Sequence, residues 1–296
     1  MTHIGVVGWS ERNFVKSITF IRYLPLIDFR VHVINTPMGN EHAPVHHLVG
    51  KTEARSDAYI RTFQHLSTYT SLTVLYLTGQ PAVYPDMFKI LNTDADSSFF
   101  PALRDFVLEF ILETADGWFF IPDEDTLDKA EEEHNPNLDH DFNGWSLYGD
   151  GSARERLVTC HFCQSKPDPS IFTPFLVAAA ESASKMNQLR RFNMRINMEE
   201  TGYKSVTRVF HFWMVKGRTL RSTVRHENVV HMKIMGIENI VHLPRLYWRT
   251  GNWTPGEVEL STWKSVVGPD AAVFFLNEDR WEAYDYSPRA EVYTAP

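Results

Sequence analysis

Two cysteines, Cys160 and Cys163, are all that the 296 residues contain, so no disulfide framework can stabilise the fold. A reducing compartment, cytoplasm or nucleus, is the expected home. No run of about 18 apolar residues exists, which excludes a membrane-spanning helix. Met1 to Trp9 lack a basic segment leading into an apolar run, so no secretory signal is expected. Lys and Arg number 29 against 37 Asp and Glu, a formal charge of −8. This is not the basic surplus that a nucleic-acid partner requires. Also missing are a nucleophile elbow, a zinc-protease helix motif and a phosphate loop. Gly5-Val6-Val7-Gly8 lacks the third glycine and the Lys-Ser/Thr ending that would make it one. A non-enzymatic protein without a cofactor is therefore expected.

What is present is a large apolar fraction, 43% hydrophobic and 13% aromatic, and a recurring spacing. Leu103, Phe106, Leu108 and Phe110 read as Leu-x-x-Φ-x-Φ-x-Φ, where Φ is apolar. In a strand, alternate side chains share a face, so the last three fill a core and the leucine enters it from the preceding bend. This is the strand signature of a leucine-rich repeat. It returns at Leu72, Leu75, Leu77, at Leu189, Phe192, Met194, Ile196, and less cleanly at Leu26, Phe29, Val31, Val33. The starts are unevenly spaced. The expected fold is α/β, an irregular leucine-rich-repeat-like solenoid with a parallel sheet backed by helices. It would form one domain over residues 1–296, with an acidic insertion at about 113–170.

Helical periodicity precedes these strands. Ser56 to Leu66 carries an apolar stripe, Asp86 to Leu91 reads as a short helix, and Phe175 to Met186 places Phe175, Leu176, Ala179, Ala180, Ala183 and Met186 along one side. Thr173 and Pro174 suggest an N-cap and first helical residue for that helix; Thr254, Pro255 and Glu257 suggest a capping box for another, stopping at Gly268-Pro269. Helix, bend and strand in that order predict parallel, adjacent strands starting near Leu72, Leu103 and Leu189. Further strands are predicted over Phe14–Phe20, Val206–Val215, Arg245–Trp248 and Ala271–Leu276.

The negative charge is concentrated. Asp123 to Asp141 contains nine acids and one lysine, and the rest of the chain is balanced. Such a run reads as a solvated loop. His134, His140, Cys160 and Cys163 fall in the same insertion and could form a Cys2His2 metal site. A metal-dependent enzyme with its site over 134–163 is thus the alternative function. Lacking any visible support for four ordered ligands, the expectation is that no metal binds there. His42, His46 and His47 are read as loop histidines.

Several segments resemble a known family. Phe100-Pro101-Ala102-Leu103 leading to Glu113-Thr114-Ala115-Asp116-Gly117-Trp118-Phe119-Phe120, the Phe175–Leu189 helix and bend, and Arg245-Leu246-Tyr247-Trp248-Arg249 with Trp263, Val267-Gly268-Pro269-Asp270-Ala271 and Val273-Phe274-Phe275-Leu276 look like the C-terminal region of filamentous-fungal F-box proteins. The resemblance implies a recognition region that presents a substrate to a ubiquitin ligase. No F-box is visible in these residues: Leu24-Pro25 is followed by Ile27-Asp28-Phe29-Arg30-Val31-His32-Val33, which alternates as a strand does. A Skp1-like adaptor is left without its docking element.

The positions between the apolar ones should point away from the core. The candidate partner-binding residues are Arg104, Glu109, Arg190, Arg191, Asn193 and Arg195, a mixed charged surface suited to a polar protein epitope.

Overall fold

A computed structural model describes residues 2–9, 26–33, 53–79, 83, 85–88, 99–110, 113–114, 117–122, 164–196, 210–216, 244–250 and 253–275. In chain order its elements are β1 (Thr2–Trp9), β2 (Leu26–Val33), α1 (Glu53–Leu66), β3 (Val74–Gly79), a 3₁₀ turn (Pro85–Phe88), β4 (Asp105–Phe110), β5 (Glu113–Thr114), β6 (Gly117–Trp118), β7 (Phe120–Pro122), β8 (Gln164–Pro167), α2 (Phe172–Ser184), β9 (Arg191–Ile196), β10 (His211–Val215), β11 (Arg245–Arg249), α3 (Glu257–Val267) and β12 (Ala272–Phe275). The main sheet has eight strands in the order β1-β2-β3-β4-β9-β10-β11-β12. Strands β1 to β4 and β9 are parallel neighbours, as are β11 and β12; β10 runs antiparallel to both β9 and β11. The structure is therefore α/β with a mostly parallel sheet, and the strands following Leu72, Leu103 and Leu189 are adjacent and parallel as predicted.

The apolar half of each alternation makes the core. Phe29, Leu75, Leu77, Phe106, Leu108, Phe110, Phe192, Met194, Phe212, Met214, Leu246 and Trp248 are buried on one face of the sheet, with Leu72, Leu103 and Leu189 entering from the bends. Every described helix packs on that face. Phe63 of α1 lies 6.2 Å from Phe106, Phe88 of the 3₁₀ turn 6.4 Å from Phe106, Phe175 of α2 5.2 Å from Phe110, and Trp263 of α3 5.2 Å from Phe192, all between ring centroids. Each such aromatic contributes about 1.5–3 kcal/mol by leaving water. The Phe100 backbone lies in the left-handed region at φ 51°, uncommon for a bulky residue. Its ring is held by Phe99 at 4.9 Å and Phe63 at 5.5 Å, and its N–H donates to Ser67 O. These contacts offset a backbone cost of about 1–3 kcal/mol.

Both helix starts differ from expectation. Ile171 is the N-cap of α2 and Gly256 that of α3, and neither helix has a side-chain cap. The Thr173 hydroxyl donates instead to Glu259 Oε1 at 2.5 Å, joining the first turns of α2 and α3. Thr173 lies inside the first turn rather than at the cap, and its O–H meets the demand of the buried Glu259 carboxylate for a donor. Of the short helix expected over 86–91, the described residues form a 3₁₀ turn, Pro85–Phe88, and 89–91 lie outside the described residues. Strand β1 was not expected, because its glycines mask the alternation of Ile4 and Val6.

Strands β7 and β8 pair antiparallel, Phe120 opposite Pro167. They bring together the two ends of residues 123–163, which lie outside the described residues with the acidic run, His134, His140, Cys160 and Cys163. Also outside are His42, His46, His47 and the strand expected over Phe14–Phe20. No described helix is long and apolar enough to cross a membrane.

Candidate functional site

The face of the sheet opposite the helices carries the other half of the alternation, and among the described residues no helix lies on it. Strand register sorts its side chains into rows. One row runs Asp28, Val74, Asp105, Arg191, Val215, Arg245; the next runs Arg30, Tyr76, Val107, Asn193, Trp213, Tyr247, Phe274.

Charge on this face is paired. Arg30 Nε donates to Asp28 Oδ1 at 2.9 Å and its guanidinium carbon lies 4.5 Å from the Tyr76 ring centre. Arg191 Nε donates to Asp105 Oδ1 at 2.5 Å, and Arg195 Nη2 lies 2.6 Å from Glu109 Oε1. Glu109 is buried, with its second oxygen accepting the Gly79 N–H at 3.1 Å. Gly79 has φ 90°, a conformation that favours glycine where β3 ends. Asn193 Oδ1 is 3.1 Å from His211 Nε2.

Between the two β4–β9 ion pairs the small Val107 and Asn193 form the floor of a depression. Tyr76 and Trp213 wall it on either side, and Asp105, Arg191 and Val215 also line it. Its enclosed space is about 30 Å³, room for about one water. Burial raises the Tyr76 phenol above its ordinary pKa; Asp105 adds to this, while Arg191 and Arg30 oppose it. The phenol is thus neutral at physiological pH, a donor at the rim.

Beyond the depression lies an aromatic ladder. Trp213 and Tyr247 stack at 4.7 Å with 13° between planes, and Tyr247 and Phe274 at 5.1 Å with 23°. Because the ring faces cover one another, Trp213 and Tyr247 are left 8% and 9% exposed. Tyr247, stacked on both sides, has no free face for a planar ligand.

Of the candidate residues, Glu109, Arg191, Asn193 and Arg195 do share this face. Arg104 and Arg190 do not belong to its rows: both are exposed and precede β4 and β9. Adjacent residues such as Arg190 and Arg191 cannot both occupy one face of a regular strand. Sequence reading passed over Trp213, Tyr247 and Phe274 as site residues. Their signal was the alternation against buried Met214, Leu246 and Trp248. Among the described residues no group of three His, Cys, Asp or Glu side chains is placed to hold a metal.

No family model, curated protein or solved structure matches the chain.

Proposed function

We propose that the chain is a non-enzymatic recognition module, an irregular leucine-rich-repeat-like solenoid that takes a protein partner on the sheet face opposite its helices. One observation carries the reading: strands follow one another in the sheet in chain order while all described helices pack on one side. Stacked units with that asymmetry offer one broad open surface. The shallow depression over Val107 and Asn193 supplies relief on the scale of a single methyl group, and the paired charges around it supply polar contacts at little desolvation cost. The resemblance to F-box proteins makes the partner a substrate for ubiquitin-dependent degradation, in the cytoplasm or nucleus.

The test is Val107→Arg, which fills the depression without removing a hydrogen bond or ion pair. A partner captured by the wild-type chain, identified and reconstituted from purified components, should lose at least about tenfold in affinity. The thermal transition should move little, as expected for a surface change. Undiminished affinity would exclude the depression. Co-purification of a Skp1-like adaptor with the partner would support the link to degradation.

A further inference from the structure

We infer that the edge where β4 and β9 begin grips an acidic segment of the partner, through Arg104, Arg190 and Lys216. The inference rests on the reading of the adjoining face as a partner site and specifies the chemistry of what it takes.

Three neighbouring chain segments bring these residues side by side. Arg190 N donates to Arg104 O at 2.8 Å, and Lys216 N donates to Arg190 O at 2.8 Å. Neighbouring strands lie about 4.8 Å apart, so the three positions span roughly 10 Å along the edge. They adjoin the row of Asp105, Arg191 and Val215 that bounds the depression.

Their charge state sets them apart from the face. The face's Asp28–Arg30, Asp105–Arg191 and Glu109–Arg195 pairs are internally neutralised. Among the described residues no carboxylate pairs with Arg104, Arg190 or Lys216. Arg104 and Arg190 are exposed, and like charges on neighbouring strands repel. Lys216 is half-buried, and desolvation lowers its pKa, so its charged form gains from an incoming anion. The arrangement costs stability in the free protein and recovers it when carboxylates arrive.

An extended segment rises about 3.4 Å per residue and its side chains alternate in direction, so an acidic run sets about two carboxylates along the edge. Nucleic acid fits less well. Its affinity comes from many phosphate contacts along a track, while this edge offers three cations on a chain of net charge −8.

The experiment uses a fluorescein-labelled dodecapeptide of Glu, Asp and Gly, its Gln/Asn/Gly counterpart, and a single-stranded oligoribonucleotide, each titrated with the full chain. Binding of the acidic peptide alone, weakened by salt and at least about tenfold weaker in Arg104→Glu/Arg190→Glu, is the expected result. Arg104→Gln/Arg190→Gln, which adds no like charge on the ligand's side, should weaken binding in the same direction and serves if the first variant misfolds. Equal binding of the acidic peptide by both variants overturns the inference while leaving the Val107→Arg result untouched. Preference for the oligoribonucleotide overturns it too. Loss of the acidic peptide in the edge variants, with partner affinity unchanged in Val107→Arg, would keep the edge and remove the depression from the site.

Discussion

Arg191 and Arg195 look equivalent along β9, two residues apart on one face, yet their removal should have different costs. Arg195 meets a carboxylate that is 4% exposed, and among the described residues Glu109 has one other donor, the Gly79 N–H. Arg195→Ala strands that charge in a low-dielectric setting, and breaking a buried pair costs about 3–5 kcal/mol. The arginine retains 17% of its side-chain exposure, so solvent repays part of this and about 3 kcal/mol is expected. Asp105 and Arg191 keep 19% and 20%. Asp105 can rehydrate when Arg191 is removed, and about 1 kcal/mol is expected, nearer the range for exposed pairs. The assay is urea unfolding of the single mutants and of Arg195→Met/Glu109→Gln. Removing both charges should restore most of the loss, because a pair replaced by neutral groups of similar volume is often neutral. Equal costs for Arg195→Ala and Arg191→Ala, or no recovery in the double mutant, would refute the burial argument. The same numbers explain why Arg191→Glu with Arg195→Glu cannot serve as a silent surface test of binding: both arginines hold β4 to β9.

Three further outcomes follow from buried polar atoms. Thr173→Val removes the donor to buried Glu259 and should cost about 2 kcal/mol, the range for a hydrogen bond to a charged group; a thermal shift equal to that of an exposed Thr→Val control would contradict it. The raised pKa of Tyr76 means that the unfolded chain loses this proton first as pH rises past about 10, so its contribution is present below that pH and lost above it. Lys216, lowered by burial, acts with the opposite sign just below its ordinary value. Tyr76→Phe isolates the phenol: its stability should fall less steeply than wild type above pH about 10, and identical alkaline slopes would dismiss the effect. The Trp263 indole N–H has no acceptor among the described residues, while its ring packs 4.3 Å from Phe212 and 5.2 Å from Phe192. Trp263→Phe should therefore stay within about 1 kcal/mol of wild type, since relief of an unsatisfied donor offsets lost volume, whereas Trp263→Ala should cost about 3–5 kcal/mol. Equal losses in chemical denaturation would mean that the donor is satisfied.

What could be read from the chain depended on how local the deciding force was. The spacing of Leu103, Phe106, Leu108 and Phe110 reflects burial of one strand face, and that alone places the strand, its inward residues and, with a helix before it, its parallel neighbours. The direction of β10 was not legible. Phe212 and Met214 face the core in either direction, and only pairing with β9 and β11 settles it. Helix caps failed for the same kind of reason: Thr173 has the right chemistry for an N-cap, but α2 begins one residue before it, and from inside the first turn its hydroxyl donates to a carboxylate on α3. The charges were legible in kind but not in pairing. Arginines on β9 beside Glu109 read as a mixed charged surface for a polar epitope, and register adds that Asp105 stands opposite Arg191 and Glu109 opposite Arg195, one strand and 86 residues away. The neutralised Asp105–Arg191 pair lines the depression on one side of Val107 and Asn193, and the Glu109–Arg195 pair lies on the other side of them in register. A partner that gains affinity by charge must therefore find it beyond these pairs. Backbone bonding places Arg104, Arg190 and Lys216 there, at the edge where the β4 and β9 ladder begins.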